Sequence, residues 1–144
     1  MPIPADEAEM HLKRAHQLHG NHRIDEAVSE ARAALLVRPD YVAALSYLGT
    51  TLITRRLSFQ EGLGALERAV ALAPDDAGVR YSLGWCYEFV AYRLEKQAAT
   101  PYRDPIELYE LAATNLQRCI DLQPEPGLKA DAEDLLESIT ARLE

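Results

Sequence analysis

Three stretches of this 144-residue chain repeat one spacing of small, apolar and proline residues. In each stretch a small residue is followed four positions later by a small or apolar residue, three later by a second small residue, and five later by proline. Chains built from such repeats bury each unit against its neighbours, and their function usually lies on the surface that the stack creates. The copies are Ala27, Ala31, Ala34 and Pro39; Gly62, Leu66, Ala69 and Pro74; and Ala112, Leu116, Cys119 and Pro124.

The pattern of apolar and polar residues along the chain predicts α-helices and no strand. Helix formers dominate, and no stretch alternates apolar and polar positions with β-branched side chains, as a strand would. Asp40 is expected to cap the third helix, and Ser58 with Glu61 is expected to form a capping box at the fourth. The prolines and the turn at Gly20 delimit the rest. The seven predicted helices cover about residues 5–19, 24–37, 41–55, 59–72, 77–98, 106–122 and 127–143.

The repeated unit resembles the tetratricopeptide repeat (TPR), a helix–turn–helix of 34 residues. The first helix of that repeat typically carries a Leu-Gly-x-x-Tyr element. It appears here as Leu48-Gly49-x-x-Leu52 and Leu83-Gly84-x-x-Tyr87, and in decayed form as Arg14-Ala15-x-x-Leu18. The small middle residue leaves room for the partner helix, and the last residue fills the space one turn later. The resemblance implies an all-α fold, a right-handed α-solenoid of three TPR-like hairpins with a C-terminal capping helix.

The resemblance also sets the expected organisation of the chain. We expect a single TPR domain over residues 1–144, with units at about 5–39, 40–74 and 75–124 and the capping helix at about 127–143. The third unit is about 16 residues longer than the repeat, with the excess around 91–104, so we expect longer helices and a longer connection there. The last helix is apolar on one face and acidic on the other, which suits a helix that closes a stack.

In TPR proteins the first helices of the units line a concave groove that holds a peptide. By helical phase, Leu83, Tyr87, Val90 and Leu94 mark the core face of the fifth helix, and an aromatic stripe lies roughly opposite. Tyrosine and tryptophan are the residues most enriched at interface hot spots. The predicted partner-binding residues are Tyr81, Trp85, Glu88 and Tyr92 on this helix, Ser46, Thr50 and Ile53 on the third helix, and His16 and His19 on the first.

A second interpretation of the stripe is packing. Tyr81, Trp85 and Tyr92 would then form a local core with Tyr102 and Tyr109 of the long third unit.

The resemblance also bears on the ligand. Family members that grip the C-terminal carboxylate of heat-shock chaperones use lysine, arginine and asparagine at the groove positions. This chain has Leu12, His16, Ser46, Tyr81 and Trp85 there, so we expect no carboxylate clamp. The predicted ligand is an apolar or aromatic segment of another protein.

Charge and motifs narrow the function further. The net charge is −8, and residues 104–144 carry ten acidic and three basic residues, which argues against nucleic acid as the main partner. No phosphate-binding loop or nucleophile elbow is present and the carboxylates are dispersed, so we predict no enzyme, no catalytic residue and no cofactor. All four histidines lie between His11 and His22, and His16 and His19 share a helix face. The His-Glu-x-x-His pattern of a metal site is missing and no cysteine is nearby, so we predict no metal site. Cys86 and Cys119 show no metal-ligand spacing, and free thiols are expected.

The sequence therefore predicts a protein–protein interaction module, either an adaptor or an assembly scaffold. No apolar run is long enough for a membrane span and no signal peptide is recognisable, so a cytoplasmic location is expected. Three alternatives stay open. The chain could be a chaperone for an export substrate, a self-assembling protein in which the aromatic helix packs on a second copy, or a histidine metal protein.

Overall fold

α-Helices provide the regular secondary structure of residues 4–97 and 99–144, the part of the chain that the computed structural model describes, with side chains described from residue 7. Residues 1–3 of the predicted domain and Ala98, the predicted end of the fifth helix, lie outside it. The second and fourth helices have the predicted bounds, and the other helices differ by one or two residues. In chain order the helices are α1 (Pro4–Gly20), α2 (Ile24–Val37), α3 (Val42–Arg56), α4 (Phe59–Leu72), α5 (Ala77–Lys96), α6 (Pro105–Asp121) and α7 (Pro126–Leu143).

Aspartate and glutamate carboxylates cap the N-termini of the helices in the C-terminal half. Asp76 accepts a hydrogen bond from the Val79 N–H at 3.1 Å and caps α5. Asp104 caps α6 by accepting from the Ile106 N–H at 3.0 Å. Glu125 caps α7 through two backbone N–H groups. Each bond satisfies a backbone donor that the first helical turn leaves without a partner.

Two predicted caps in the N-terminal half are wrong. Tyr41, not Asp40, is the N-cap residue of α3, and it makes no side-chain cap bond. The Ser58 N–H donates to the Leu52 carbonyl at 2.9 Å, while the Glu61 carboxylate binds the Arg32 guanidinium through two bonds of 2.6 and 3.2 Å. Glu61 therefore joins α4 to α2 instead of closing a capping box, because a bidentate charge pair outweighs a single local bond.

The helices fall into two compact units, Met1–Leu72 and Ala73–Glu144. In the first unit α1 pairs with α2, α3 pairs with α4, and α2 packs on α3. Their apolar faces meet in one cluster of buried side chains. Its members are Leu12, Ala15, Ala31, Ala34, Ala44, Leu48 and Leu52.

In the second unit α5 pairs with α6, and α7 packs on α6 and touches α5. The predicted core face of α5 is confirmed, since Leu83, Tyr87, Val90 and Leu94 are all buried. The predicted lengthening is also present: α5 has 20 residues and α6 has 17, against 15 and 14 for α3 and α4. The side chains of Cys86 and Cys119 are buried, and neither is part of a disulfide bond. The expectation of one domain spanning both units stays a prediction.

Small residues let the paired helices approach closely. A Cβ added at Gly49 of α3 would lie 2.7 Å from the carbonyl oxygen of Gly62 in α4 and 2.7 Å from Cγ of Leu66. A Cβ at Gly84 of α5 would lie 2.9 Å from Cγ of Leu116 in α6. Both distances are shorter than real Cβ contacts, so these two glycines fix the spacing of their hairpins.

No helix in the described part of the chain is long and apolar enough to cross a membrane.

Gly49→Ala tests this close approach. The added methyl group has to displace a backbone carbonyl, so we expect the free energy of unfolding to fall by about 1–3 kcal/mol. Gly64→Ala is the matched control, because Gly64 lies in α4 with nothing within 4 Å of an added Cβ. That variant should gain about 0.5–1 kcal/mol from helix propensity. Urea denaturation measures both, and equal effects would contradict the packing argument.

Candidate functional site

The face of α5 opposite its core is aromatic and partly open to solvent. Tyr81, Trp85, Glu88 and Phe89 are each partly exposed, and Tyr92 is 43% exposed. Trp85 stacks on Phe89, with ring centroids 5.4 Å apart and an interplanar angle of 19°. These five residues are called the aromatic face of α5 below. They include all four residues predicted from the sequence on this helix, and Phe89 in addition.

The C-terminal end of this face is joined to α6 and α7 by a small polar cluster. The Tyr109 hydroxyl donates to Glu95 at 2.5 Å, and the Arg142 guanidinium lies 3.3 Å from the same carboxylate. Arg142 also lies over the rings of Tyr92 and Tyr109, at 5.6 and 5.3 Å from their centroids. Burial first, and then the bond to Glu95, raise the pKa of Tyr109 far above its usual range.

This cluster bears on the packing interpretation of the aromatic stripe. Tyr109 is fully buried, so it belongs to the core, whereas Tyr102 is 44% exposed. Tyr81, Trp85 and Tyr92 keep exposed surface, as the binding interpretation requires.

Glu88 has an unusual environment for a carboxylate. Burial raises its pKa above the usual value, and the positive charge of Arg142 opposes that shift. Among the residues that the structure describes, none donates a hydrogen bond to the Glu88 carboxylate or forms an ion pair with it. Its negative charge is thus partly desolvated by the helices of its own unit without a compensating bond.

In the other unit, Tyr47 of α3 lies between the two predicted histidines of α1. The His19 Nδ1 atom lies 2.9 Å from the Tyr47 hydroxyl oxygen, and the His16 ring meets the Tyr47 ring edge-on, with centroids 5.0 Å apart. Sequence reasoning missed Tyr47, although it lies one position after Ser46 and its phase on α3 was available as a signal. The three rings join the first helices of the first two hairpins.

Burial is also the main cause of the pKa shifts of His19 and Tyr47. It lowers the pKa of His19, with smaller contributions from the positive charges of Arg55, His16 and His22. Burial raises the pKa of Tyr47, and Thr51 and Arg55 oppose that shift. The lowered pKa favours the neutral form of His19, whose Nδ1 atom forms a hydrogen bond with the Tyr47 hydroxyl.

The three residues predicted on α3 have different environments. Ser46 and Thr50 are partly exposed. Ile53 is 0% exposed, and its Cγ1 would lie 2.5 Å from a Cβ added at Gly62. The prediction that Ile53 contacts a partner is wrong for this conformation, because its side chain fills the space over the helix pair. Helical phase placed it on the groove side but could not show how tightly α4 approaches.

The histidines are not joined by further metal-ligating side chains in the part of the chain that the structure describes. The His11 Nδ1 atom binds Glu30 of α2 at 2.6 Å, away from the Tyr47 group. In the described part of the chain, no three His, Cys, Asp or Glu side chains are placed to hold a metal ion.

Comparison with known proteins identifies the architecture. No protein-family model and no curated protein sequence matches the chain. Among solved structures, the first TPR of Spaghetti (RPAP3) bound to the HSP90 peptide SRMEEVD is similar over 96% of this chain and 94% of that one, with a TM-score of 0.74 and 16% identity. The chain has a TPR fold. The all-α TPR-like fold expected from the three repeats is confirmed, and the TPR glycines Gly49 and Gly84 lie at the closest approach of their helix pairs.

Glu88→Gln tests the cost of the unpaired carboxylate. Because the folded-state pKa lies above the unfolded value of 4.5, the stability contribution of Glu88 is present below that value and is lost as the pH rises through the folded-state pKa. At pH 7 the variant should therefore be more stable than wild type, by about 0.5–1 kcal/mol. Thermal denaturation at several pH values measures the difference. A less stable variant at pH 7 would mean that the carboxylate has a stabilising partner.

His19 should make the stability depend on pH in the opposite sense. Its folded-state pKa lies below 6.5, so its contribution is present above pH 6.5 and is lost as the pH falls through the folded-state pKa. Between about pH 7 and pH 5, His19→Gln should lose less stability than wild type. His22→Gln is the control, because it removes only the smallest cause of the shift. Parallel pH profiles for wild type and His19→Gln would contradict this assignment.

Proposed function

We propose that this chain is a protein–protein interaction module that binds a peptide segment of a partner through the exposed faces of its first helices. The RPAP3 domain of the same fold was solved with a peptide of HSP90, and this supports peptide binding as the mode of action. The proposal covers a role as an adaptor or as an assembly scaffold, without enzymatic activity and in the cytoplasm.

The aromatic face of α5 is the observation that carries the proposal. Helices in a water-soluble stack bury one apolar face, and α5 already buries Leu83, Tyr87, Val90 and Leu94. A second face with tryptophan, tyrosine and phenylalanine side chains is not required to hold the α5–α6 hairpin together. Exposed aromatic side chains on a rigid helix lose little conformational freedom when a partner covers them, and such residues dominate interface energies.

In the first unit we propose that the partner-binding surface consists of His16 and His19 on α1 and Ser46 and Thr50 on α3, with Tyr47 between them. Leu12 of α1 is buried and offers no polar group to a ligand. An open depression of about 480 Å³ adjoins His16 and is lined by α1 side chains from Glu9 to Gln17. The depression itself is lined mainly by apolar surface. The polar side chains of His16, His19, Ser46 and Thr50 suit hydrogen bonds to a peptide backbone.

The proposed ligand is an apolar or aromatic segment. The absence of lysine, arginine and asparagine at Leu12, His16, Ser46, Tyr81 and Trp85 speaks against a peptide held by its terminal carboxylate. An export chaperone would bind a segment of the same kind, and only the identity of the partner separates it from an adaptor. A homodimer would instead cover the aromatic face of α5 with a second copy.

The double variant Tyr81→Ala/Trp85→Ala tests the proposal. Peptides selected from a random dodecapeptide display library on the full chain should bind the double variant at least about 30-fold more weakly, because truncating two central aromatic side chains removes most of an interface of this size. Trp85 is the only tryptophan, so its emission follows binding to wild type directly. Fluorescence polarisation of labelled peptides serves for the variant.

The matched control is Leu36→Ala/Leu72→Ala, which removes two exposed apolar side chains of α2 and α4. It should bind the selected peptides as wild type does. Equal affinity in the two double variants would overturn the proposed site. Light scattering over a range of concentrations identifies a homodimer, which would have to dissociate when Tyr81 and Trp85 are truncated.

A further inference from the structure

The aromatic face of α5 has a carboxylate at its centre. Glu88 lies three residues after Trp85 and four before Tyr92, so all three share one side of the helix. In the described part of the chain this carboxylate has no hydrogen-bond or ion-pair partner. Arg142 influences it only from a longer distance, since the guanidinium binds Glu95 at 3.3 Å.

The rings at the C-terminal end of this face already hold cations from the same chain. Arg93 lies over Phe89 at 5.1 Å from the ring centroid, and Lys96 lies over Tyr92 at 5.2 Å. These distances lie within the range of cation–π attraction. At the N-terminal end, no cation of the described residues lies over Tyr81 or Trp85. The face thus has two aromatic side chains and one carboxylate that remain available to a positive charge.

The electrostatic field of the surrounding unit has the matching sign. Residues 73–144 include fourteen acidic and seven basic residues, a net charge of −7, whereas residues 1–72 have nine and eight, a net charge of −1. Burial raises the pKa of the Tyr81 phenol, and the negative charge of Asp131 in α7 adds to that shift. A concentration of negative charge of this kind attracts cationic ligands and speeds their association.

We propose that the aromatic face of α5 receives an arginine or lysine side chain of an otherwise apolar peptide, held between the rings of Tyr81 and Trp85 and the carboxylate of Glu88. The ring faces attract the cation, and Glu88 gains the partner that its own chain does not supply. This specificity is opposite in sign to that of the peptide SRMEEVD, which has three acidic residues and one basic residue. The inference rests on the proposed function and assigns the chemistry of its ligand.

A display selection with a random dodecapeptide library tests the inference on three proteins: wild type, Glu88→Gln and Glu133→Gln. Glu133 is an exposed residue of α7, so its replacement makes the same change of net charge away from the face. Arginine and lysine should be enriched, relative to the unselected library, among the peptides selected on wild type and on Glu133→Gln. The enrichment should be lost on Glu88→Gln. Circular dichroism confirms that the variants are folded.

A second measurement gives the size of the effect. The most enriched peptide is synthesised with its basic residue and with glutamine in that position, and both are titrated against wild type by Trp85 emission. The glutamine peptide should bind about fivefold to tenfold more weakly to wild type, as expected for one cation–π contact and one partly exposed ion pair. On Glu88→Gln the difference should shrink to about twofold.

The outcomes separate the inference from the proposed function. Peptides that need Tyr81 and Trp85 but show no excess of basic residues, or that are acidic like SRMEEVD, would overturn the inference and leave the proposed function in place. An unchanged basic preference on Glu88→Gln would also overturn it, because net charge would then explain the selection. If no selected peptide depends on Tyr81 and Trp85, the proposed function fails and the inference fails with it.

Discussion

The close approach of paired helices at glycine is the constraint on which both units depend. At Gly49 and Gly62 two backbones meet with no space for a methyl group, and at Gly84 the same space is filled by Leu116. This close contact lets the larger apolar side chains of each hairpin pack into a dense core. Their burial stabilises the fold through the hydrophobic effect and through dispersion attraction. Gly62 and Leu66 of the three-copy spacing lie at this contact, as do Ala112 and Leu116, so the spacing reflects the packing of the paired helices.

One face of α5 is buried in the core of its unit, and its opposite face keeps exposed surface. Its aromatic side chains are held by the stack of Trp85 on Phe89 and by cations at the C-terminal end, but they keep exposed surface. Glu88 lies among them at a cost to stability, because burial disfavours its charged form. A stabler sequence would place a neutral residue there, and an unpaired carboxylate between aromatic rings is the kind of local conflict that marks functional sites.

Much of the fold could be predicted from the sequence, because helix periods, prolines and small residues act locally. The bounds of α2 and α4 and the core face of α5 followed from these signals alone. The Asp40 cap was wrong by one residue, and two further misses involve contacts between helices. The Glu61 carboxylate binds Arg32 of α2 instead of the N-terminus of α4, and Ile53 is buried against α4. The site residues named from helical phase stay a prediction, and the Tyr47 contacts with His16 and His19 and the unpaired state of Glu88 become visible only when the helices are placed in space.

The most direct test of the central claim, that a partner binds the aromatic face of α5, is a two-dimensional NMR titration of the labelled full chain with a selected peptide. We expect the largest chemical-shift changes on α5 between Tyr81 and Tyr92, including the indole N–H of Trp85. Changes confined to the outward-facing residues of α2 and α4, with the Trp85 signal unmoved, would contradict it.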